Sequence, residues 1–465
     1  MGKSQAYRPD PAILSLGDTF FDAVEAASFP EHKLRFFNRR WAERVGLGEI
    51  DPVAHFGRFE PLADNLTRPL ALRYHGHQFR HYNPDIGDGR GFLFAQLREE
   101  SSCRGQPTQP ERGGRLLDLG TKGSGQTPYS RFGDGRLTLK GGVREVLATE
   151  MLEALGVNTS KSFALVETGE ELTRNDEPSP TRSAVLTRLS HGHIRIGSFQ
   201  RLAFLEDAEG ISALTSYCLR QLYGADSDDP LRLFGLVADR TAKLAASYLA
   251  SGFVHGVLNS DNINITGESF DYGPWRFAPT WDEQFIAAYF DQGGLYAFGR
   301  QPEAIHWDVA QLGGCLALVA DGPKLAEILA GWPALFEQAL FAAVVKRLGV
   351  EPSEDDRPLV SALLTALRTQ TVTIDRLFFD WRGGRLLGSH EDEAFALLRR
   401  QLDGRAPLPH ALDHDYWRDN GPCSMHLDEV EAIWSAIADA DDWSPFNAKI
   451  AAIRRMADAM TPPCA

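Results

Sequence analysis

With 465 residues, 43% of them hydrophobic and 24% charged, the chain has the composition of an ordinary folded protein, long enough for two or three units that each bury a core. A net charge of -15 excludes a general phosphate-backbone binder, which needs a basic face to displace counterions, so no nucleic-acid partner is expected and any anionic ligand must be met by local arginines and lysines. The five cysteines are odd in number and lack a C-x-x-C pair, so the expectation is a reducing, cytoplasmic setting with neither a disulfide framework nor zinc.

The start, MGKSQAYRPDP, has no apolar h-region, and Ala6 stands where a myristoylation signal needs Ser or Thr. No apolar run approaches the ~18 residues that cross a bilayer, so no membrane partner is expected. Residues 1–60 are read as a leading extension, in which HKLRFFNRRWAERVGL carries apolar residues at helical spacing. From 61 to 205 the pattern changes to short apolar stretches bounded by Gly-rich or polar turns: GFLFAQL at 91–97, RLLDLG at 115–120, FALVETG at 163–169 and SAVLTRL at 183–189. One helix interrupts these strands at 141–157, with Val143, Val146, Leu147, Met151 and Leu155 on a common stripe. Over 206–400 helical patterning takes over, and two of the helices, ending at Gly224 and Gly252, close at a glycine suited to a C-cap. Residues 401–465 form a C-terminal extension, irregular from about 405 until a last helix near FNAKIAAIRRMADAM. The class expected is α+β, with a protein-kinase-like division into a small strand-rich N-lobe and a larger helical C-lobe, flanked by the two extensions.

Chemistry concentrates in FVHGVLNSDNINITGESFDYG, residues 253–273. A kinase catalytic loop runs H-R-D-L-x-x-x-N and is followed by D-F-G, its Asn and second Asp holding magnesium. His255, Asn262 and Asp271-Tyr272-Gly273 fit that template, but Val257 stands where the kinase base would be. Alone, Asn and Asp commonly cap turns. At these offsets Asn262 and Asp271 read as oxygen ligands for magnesium or manganese. Lys122 ends a strand-like segment and Glu145 lies in the helix that follows, the order of a kinase Lys–Glu ion pair. Two glycine-rich stretches, GDGRG at 87–91 and GTKGSGQTPYSRFGDG at 120–135, could bring backbone N–H groups to phosphate, although hairpin turns are their default reading. Arg188 and Arg195 offer forks for phosphate oxygens, whereas His191 and His193 make a poor metal site without further ligands.

Together GHQF, GDGRG, LGTKGSGQTPYSRFGDGR, REVLATE, TRLSHGHIRIGSF and HGVLNSDN…DYGP resemble the selenoprotein O (SelO, YdiU) family over roughly residues 60–300. The resemblance implies a kinase-fold protein that transfers AMP from ATP to Ser, Thr or Tyr hydroxyls of proteins, with ATP in a flipped orientation. It implies nucleotide contacts at Gly87, Gly89, Arg90, Lys122, Asp134, Gly135, Arg188, Arg195 and Asp271, metal ligands at Asn262 and Asp271, Asp261 as proton acceptor and Glu145 as partner of Lys122. Two departures stand out: GHQF continues as RHYNPD without the family's usual glycines, and although Cys464 is kept, no cysteine lies between Cys218 and Cys315 to form the bridge some relatives use. Protein adenylyl transfer ranks first, followed by kinase-type phosphotransfer, which must explain Val257, and then by a non-catalytic ATP-binding scaffold.

Overall fold

A computed structural model describes residues 6–99, 114–175, 177–388 and 393–461. Among the described residues twelve strands form: β1 (Phe21–Ala23), β2 (Lys33–Phe37), β3 (Leu70–Leu72), β4 (Gly76–Gln78), β5 (His81–Asn83), β6 (Leu93–Glu99), β7 (Arg115–Lys122), β8 (Leu137–Thr138), β9 (Lys161–Leu172), β10 (Thr181–Ser190), β11 (Phe253–Val254) and β12 (Arg276–Phe277). Eight of them build one antiparallel sheet in the order β1-β3-β6-β7-β10-β9-β2, with β8 paired to β10. All four predicted strands lie within it.

The central strands are apolar on both faces because both faces are covered. Leu116, Leu165 and Leu186 pack with Val143 and Leu147 of the Leu139–Ala154 helix. Leu117, Phe163 and Val185 pack on the other side with Phe29, Leu47 and Phe56 of the leading residues. Those leading residues also supply both edge strands, β1 and β2. The helical spacing read over HKLRFFNRRWAERVGL is overridden here: Lys33–Phe37 is a strand in register with β9, and Arg35 pairs with Glu167 at 2.6 Å. The helix starts only at Arg39, after Asn38, whose side chain accepts from the Trp41 N–H.

Beyond the sheet the described chain is mostly helical, apart from the short β11–β12 pair. Pro230–Ser251 ends at Gly252, and the helical turns that follow Ala208–Tyr217 run out to Gly224, both glycines left-handed, as the C-cap reading requires. Leu427–Ala440 is a helix where an irregular tail was expected. The Gly322–Leu348 stretch is, contrary to the sequence reading, apolar and long enough for a membrane span. It breaks at Gly331 into two helices, and among its residues Leu325, Trp332, Leu340, Val344, Val345 and Leu348 are buried in the protein while its exposed positions are small or polar. Of the cysteines, Cys218, Cys315 and Cys423 are free thiols, and Cys464, the candidate partner in a regulatory bridge, lies outside the described residues.

The C-terminal helices of the described chain close over the Leu139–Ala154 helix. The Ser444–Met460 helix lies along Leu139–Ala154, where Arg454 grips Glu150 through two hydrogen bonds of 2.8 Å. Lys140 of the same helix reaches Glu431 at 2.7 Å.

Candidate active site

Pairing of β11 with β12 brings the two ends of the 253–273 motif together, with residues 255–262 leaving one strand and Asp271-Tyr272-Gly273 leading into the other. His255 fixes the crossing, since its Nε2 bonds the Phe270 carbonyl at 2.9 Å. The Ile196 N–H donates to the Ile263 carbonyl at 3.0 Å, so the loop is also stitched to the segment that carries Arg195. The β4–β5 hairpin, which begins with GHQF, covers the loop: the His77 and Phe79 N–H groups donate to Ser260 Oγ and Asn259 Oδ1 at 2.7 and 2.9 Å.

These elements surround a cavity of about 790 Å³. Gly87, Gly89, Arg90, Lys122, Asp134, Gly135, Arg188, Arg195, Asp261 and Asp271 all line it. Glu145 and Asn262 are not among the lining residues. Glu145 stands behind Lys122, almost fully buried, and accepts a hydrogen bond from its Nζ. Lys122 Nζ also reaches Asp271 Oδ1 at 2.6 Å, and Arg188 Nη1 lies 3.5 Å from the same oxygen. Burial alone would raise Asp271, but the charges of Lys122, Arg188, Arg90 and Arg195 hold its carboxyl well below the usual range. Its backbone is left-handed, at φ 62°, a conformation a non-glycine residue keeps only when its surroundings enforce it.

Asp261 has the opposite character. Burial pushes it up to about 6, against the charge of Arg195. Its Oδ1 is buried without a hydrogen-bond partner, whereas its backbone carbonyl accepts from Arg195 Nη1 at 3.1 Å. Val257 is absent from the lining residues. Arg195 is clamped between the rings of Tyr74 and Phe270, 4.4 and 4.9 Å from its guanidinium carbon, and pairs with Asp88 at 3.2 Å. Its Nε is buried with no protein acceptor.

The glycine-rich stretches are not hairpins. Residues 87–91 connect β5 and β6, which belong to different sheets, and residues 123–136 connect β7 to β8, which pairs with β10. They pack on each other, which gives their glycines a second reason. A Cβ at Gly87 would stand 2.5 Å from the Tyr129 ring, and one at Gly91 would stand 2.0 Å from the Thr121 carbonyl oxygen. His193, also on the cavity wall, bonds Asp118 through its Nδ1 at 2.9 Å.

The sequence profile of the family described as "Protein adenylyltransferase SelO" matches residues 4–419. This chain belongs to the SelO family.

Relatives named "Protein nucleotidyltransferase YdiU" agree along most of their length. The one from Synechocystis sp. (strain ATCC 27184 / PCC 6803 / Kazusa) is 42% identical, covering 94% of this chain and 96% of its own. The one from Synechococcus elongatus (strain ATCC 33912 / PCC 7942 / FACHB-805) is 39% identical, covering 94% and 93%. The one from Ruegeria pomeroyi (strain ATCC 700808 / DSM 15171 / DSS-3) is 34% identical, covering 79% and 76%. The chain is thus an adenylyltransferase enzyme, and ATP is the nucleotide substrate its SelO membership implies.

The SelO cavity presents oxygen donors suited to a hard divalent cation. Asp271 and Asp261 line it, the latter with a partnerless oxygen, while Asn262, behind the lining, donates its amide nitrogen to the Val257 carbonyl at 3.1 Å and leaves its oxygen out of that bond. Among the described residues no three His, Cys, Asp or Glu side chains cluster, so an ion here would share its shell with phosphate oxygens, as magnesium commonly does.

Sequence reasoning missed Asp88, Tyr74 and Phe270, the groups that aim Arg195. Asp88 could have been found, since it stands between the two glycines of a motif already singled out, and it also accepts from the Leu72 N–H at 3.0 Å. The segment between Asn262 and Asp271 contains another buried carboxyl, Glu268, which accepts from the His191 N–H at 2.8 Å and is pushed by burial up to about 7. Its folded pKa lies above the unfolded value, so the folded protein holds a proton that the unfolded chain releases between about pH 4.5 and 7, and folding stability falls as pH rises through that window. Glu268→Gln removes the titration. The melting temperature of the variant, relative to wild type, is expected to climb from pH 4.5 to 7 and level off above; a pH-independent difference would contradict the assignment.

Proposed function

We propose that this SelO member transfers AMP from ATP to Ser, Thr or Tyr hydroxyls of proteins, in a metal-dependent reaction on a two-lobed, kinase-like scaffold. Residues 61–205 serve as the nucleotide lobe and 206–400 as the helical lobe, flanked by extensions at 1–60 and 401–465. Lys122, Arg188 and Arg195 neutralise the triphosphate, Arg90 adds a further cation, and Glu145 holds Lys122 in place. Gly87, Gly89, Asp134 and Gly135 complete the walls around the nucleotide. Magnesium or manganese, held by Asn262 and Asp271, would supply further positive charge at the phosphates.

The acceptor oxygen attacks the α-phosphorus, the bond from that phosphorus to the bridging oxygen of the β-phosphate breaks, pyrophosphate leaves, and Asp261 takes the hydroxyl proton. One observation carries this reading: Asp261 lines the cavity and has an oxygen with no protein partner, whereas Val257 is not on the cavity wall. With Asp261 as base, the loop needs no carboxylate at the kinase position. The setting proposed is the cytoplasm, where ATP is plentiful and thiols such as Cys218 stay reduced.

The test compares ATP labelled at the α-phosphate with ATP labelled at the γ-phosphate, using a generic acceptor protein with magnesium or manganese. Stable α-label on protein, lost in Asp271→Ala, is the expected result. Label from the γ-position alone would make the protein a kinase, and binding without transfer would make it a scaffold.

A further inference from the structure

The cavity wall runs from buried residues to exposed ones: Lys122 and Arg188 are 4% and 5% exposed, whereas Arg131 and Phe132 stand in solvent. Lys122, Arg188 and Asp271 contact one another at the inner end. From Lys122 the 123–135 segment carries the wall outward and folds back on itself, the Gly125 N–H donating to the Gly135 carbonyl at 3.1 Å. Its excursion is pinned where the hydroxyls of Thr127 and Ser130 bond the carbonyls of Asp88 and Gly89. The tip closes with the Gly133 N–H donating to the Ser130 carbonyl at 2.7 Å. On this closed turn sits Phe132, which lines the cavity and yet has a relative exposure of 107%, the highest among the large apolar side chains described. Arg131 beside it holds a left-handed φ of 52°, so the turn keeps a demanding geometry to present the ring.

We propose that Phe132 is the platform on which the nucleobase stacks. The inference rests on the proposed nucleotide site and adds a base subsite to it. A nucleoside triphosphate with its phosphates against the inner cations must direct its base toward the outer end, where Phe132 offers an aromatic face with no protein covering it. Every base has a π-face, so stacking there favours a nucleoside over a bare polyphosphate without choosing among bases. The hydrogen-bonded turn fixes the backbone beforehand, which lowers the ordering cost of binding. Asn175, on the same cavity wall next to the Arg174 that bonds Asp134 at 2.8 Å, carries both a donor and an acceptor for the edge of a base.

The experiment is calorimetric titration of the full chain with ATP and with inorganic tripolyphosphate, each with magnesium. Phe132→Ala is expected to weaken ATP by about tenfold or more while tripolyphosphate binds as before, and Phe132→Trp to restore ATP binding. Equal losses for both ligands would overturn the proposal by making the turn merely structural. Unchanged ATP binding would overturn it as well, including the case in which only the KM for the protein acceptor moves. The comparison reads binding alone, so a wild type that binds ATP but fails to transfer α-label sinks the proposed reaction and leaves this test intact.

Discussion

Asparagine at position 261 is expected to lower AMP transfer by about 10²–10⁴-fold, the range for losing a positioned general base, while ATP binding changes little. The substitution keeps the shape of a side chain that is tightly enclosed: a Cβ built at Gly76 would already stand 2.9 Å from the Asp261 Cβ. It keeps the backbone carbonyl that accepts from Arg195, so the cation on the phosphates stays in place. Only the capacity to take a proton is lost. Single-turnover transfer from α-labelled ATP, measured beside equilibrium ATP binding, separates the two. Wild-type transfer by Asp261→Asn would remove Asp261 from the chemistry, and a parallel loss of binding would recast it as a structural residue.

The second large effect concerns the buried Lys122–Glu145 pair. Lys122→Met removes the hydrogen-bonded partner of Glu145, 1% exposed, and leaves it only Arg188 at 3.9 Å as a counter-charge; breaking a buried pair from one side costs about 3–5 kcal/mol. Replacing both partners by apolar groups of similar size is often nearly neutral, so Lys122→Met with Glu145→Leu is expected to recover most of that stability. Asp271 retains Arg188 at 3.5 Å in the double variant. Transfer, however, is expected to stay abolished in both, because the lysine proposed to hold the triphosphate is gone. Denaturant titration together with the α-label assay checks the contrast. A double variant as unstable as the single one would show that the pair matters for packing beyond its charge, and transfer surviving in either would exclude Lys122 from the site.

Much of the site was legible because its chemistry is local in sequence. Asn262 and Asp271 sit at fixed offsets in one motif, and the strand-Lys, helix-Glu order survives any rearrangement of the intervening loops. What stayed hidden depends on contacts across long separations. Arg195 takes its aim from Tyr74, Asp88 and Phe270, none of which announces itself, and Gly87 answers to the Tyr129 ring as well as to any phosphate. In the fold the four strands flanking Lys122 were readable from composition, whereas Lys33–Phe37 was not: its helical spacing is overruled by pairing with β9, a partner more than a hundred residues away. The Leu427–Ala440 helix was obscured by the irregular residues before it.

The clasp between Ser444–Met460 and Leu139–Ala154 also bears on how the protein is made. A ribosome delivers the helix that carries Glu145 some three hundred residues before it delivers Arg454, the residue that grips Glu150 on that same helix. Throughout that interval the helix can pack on the sheet but lacks its outer cover. The finished setting of Lys122 therefore waits for the end of synthesis, and a nascent chain released early would carry the whole nucleotide motif beside a helix still missing its brace.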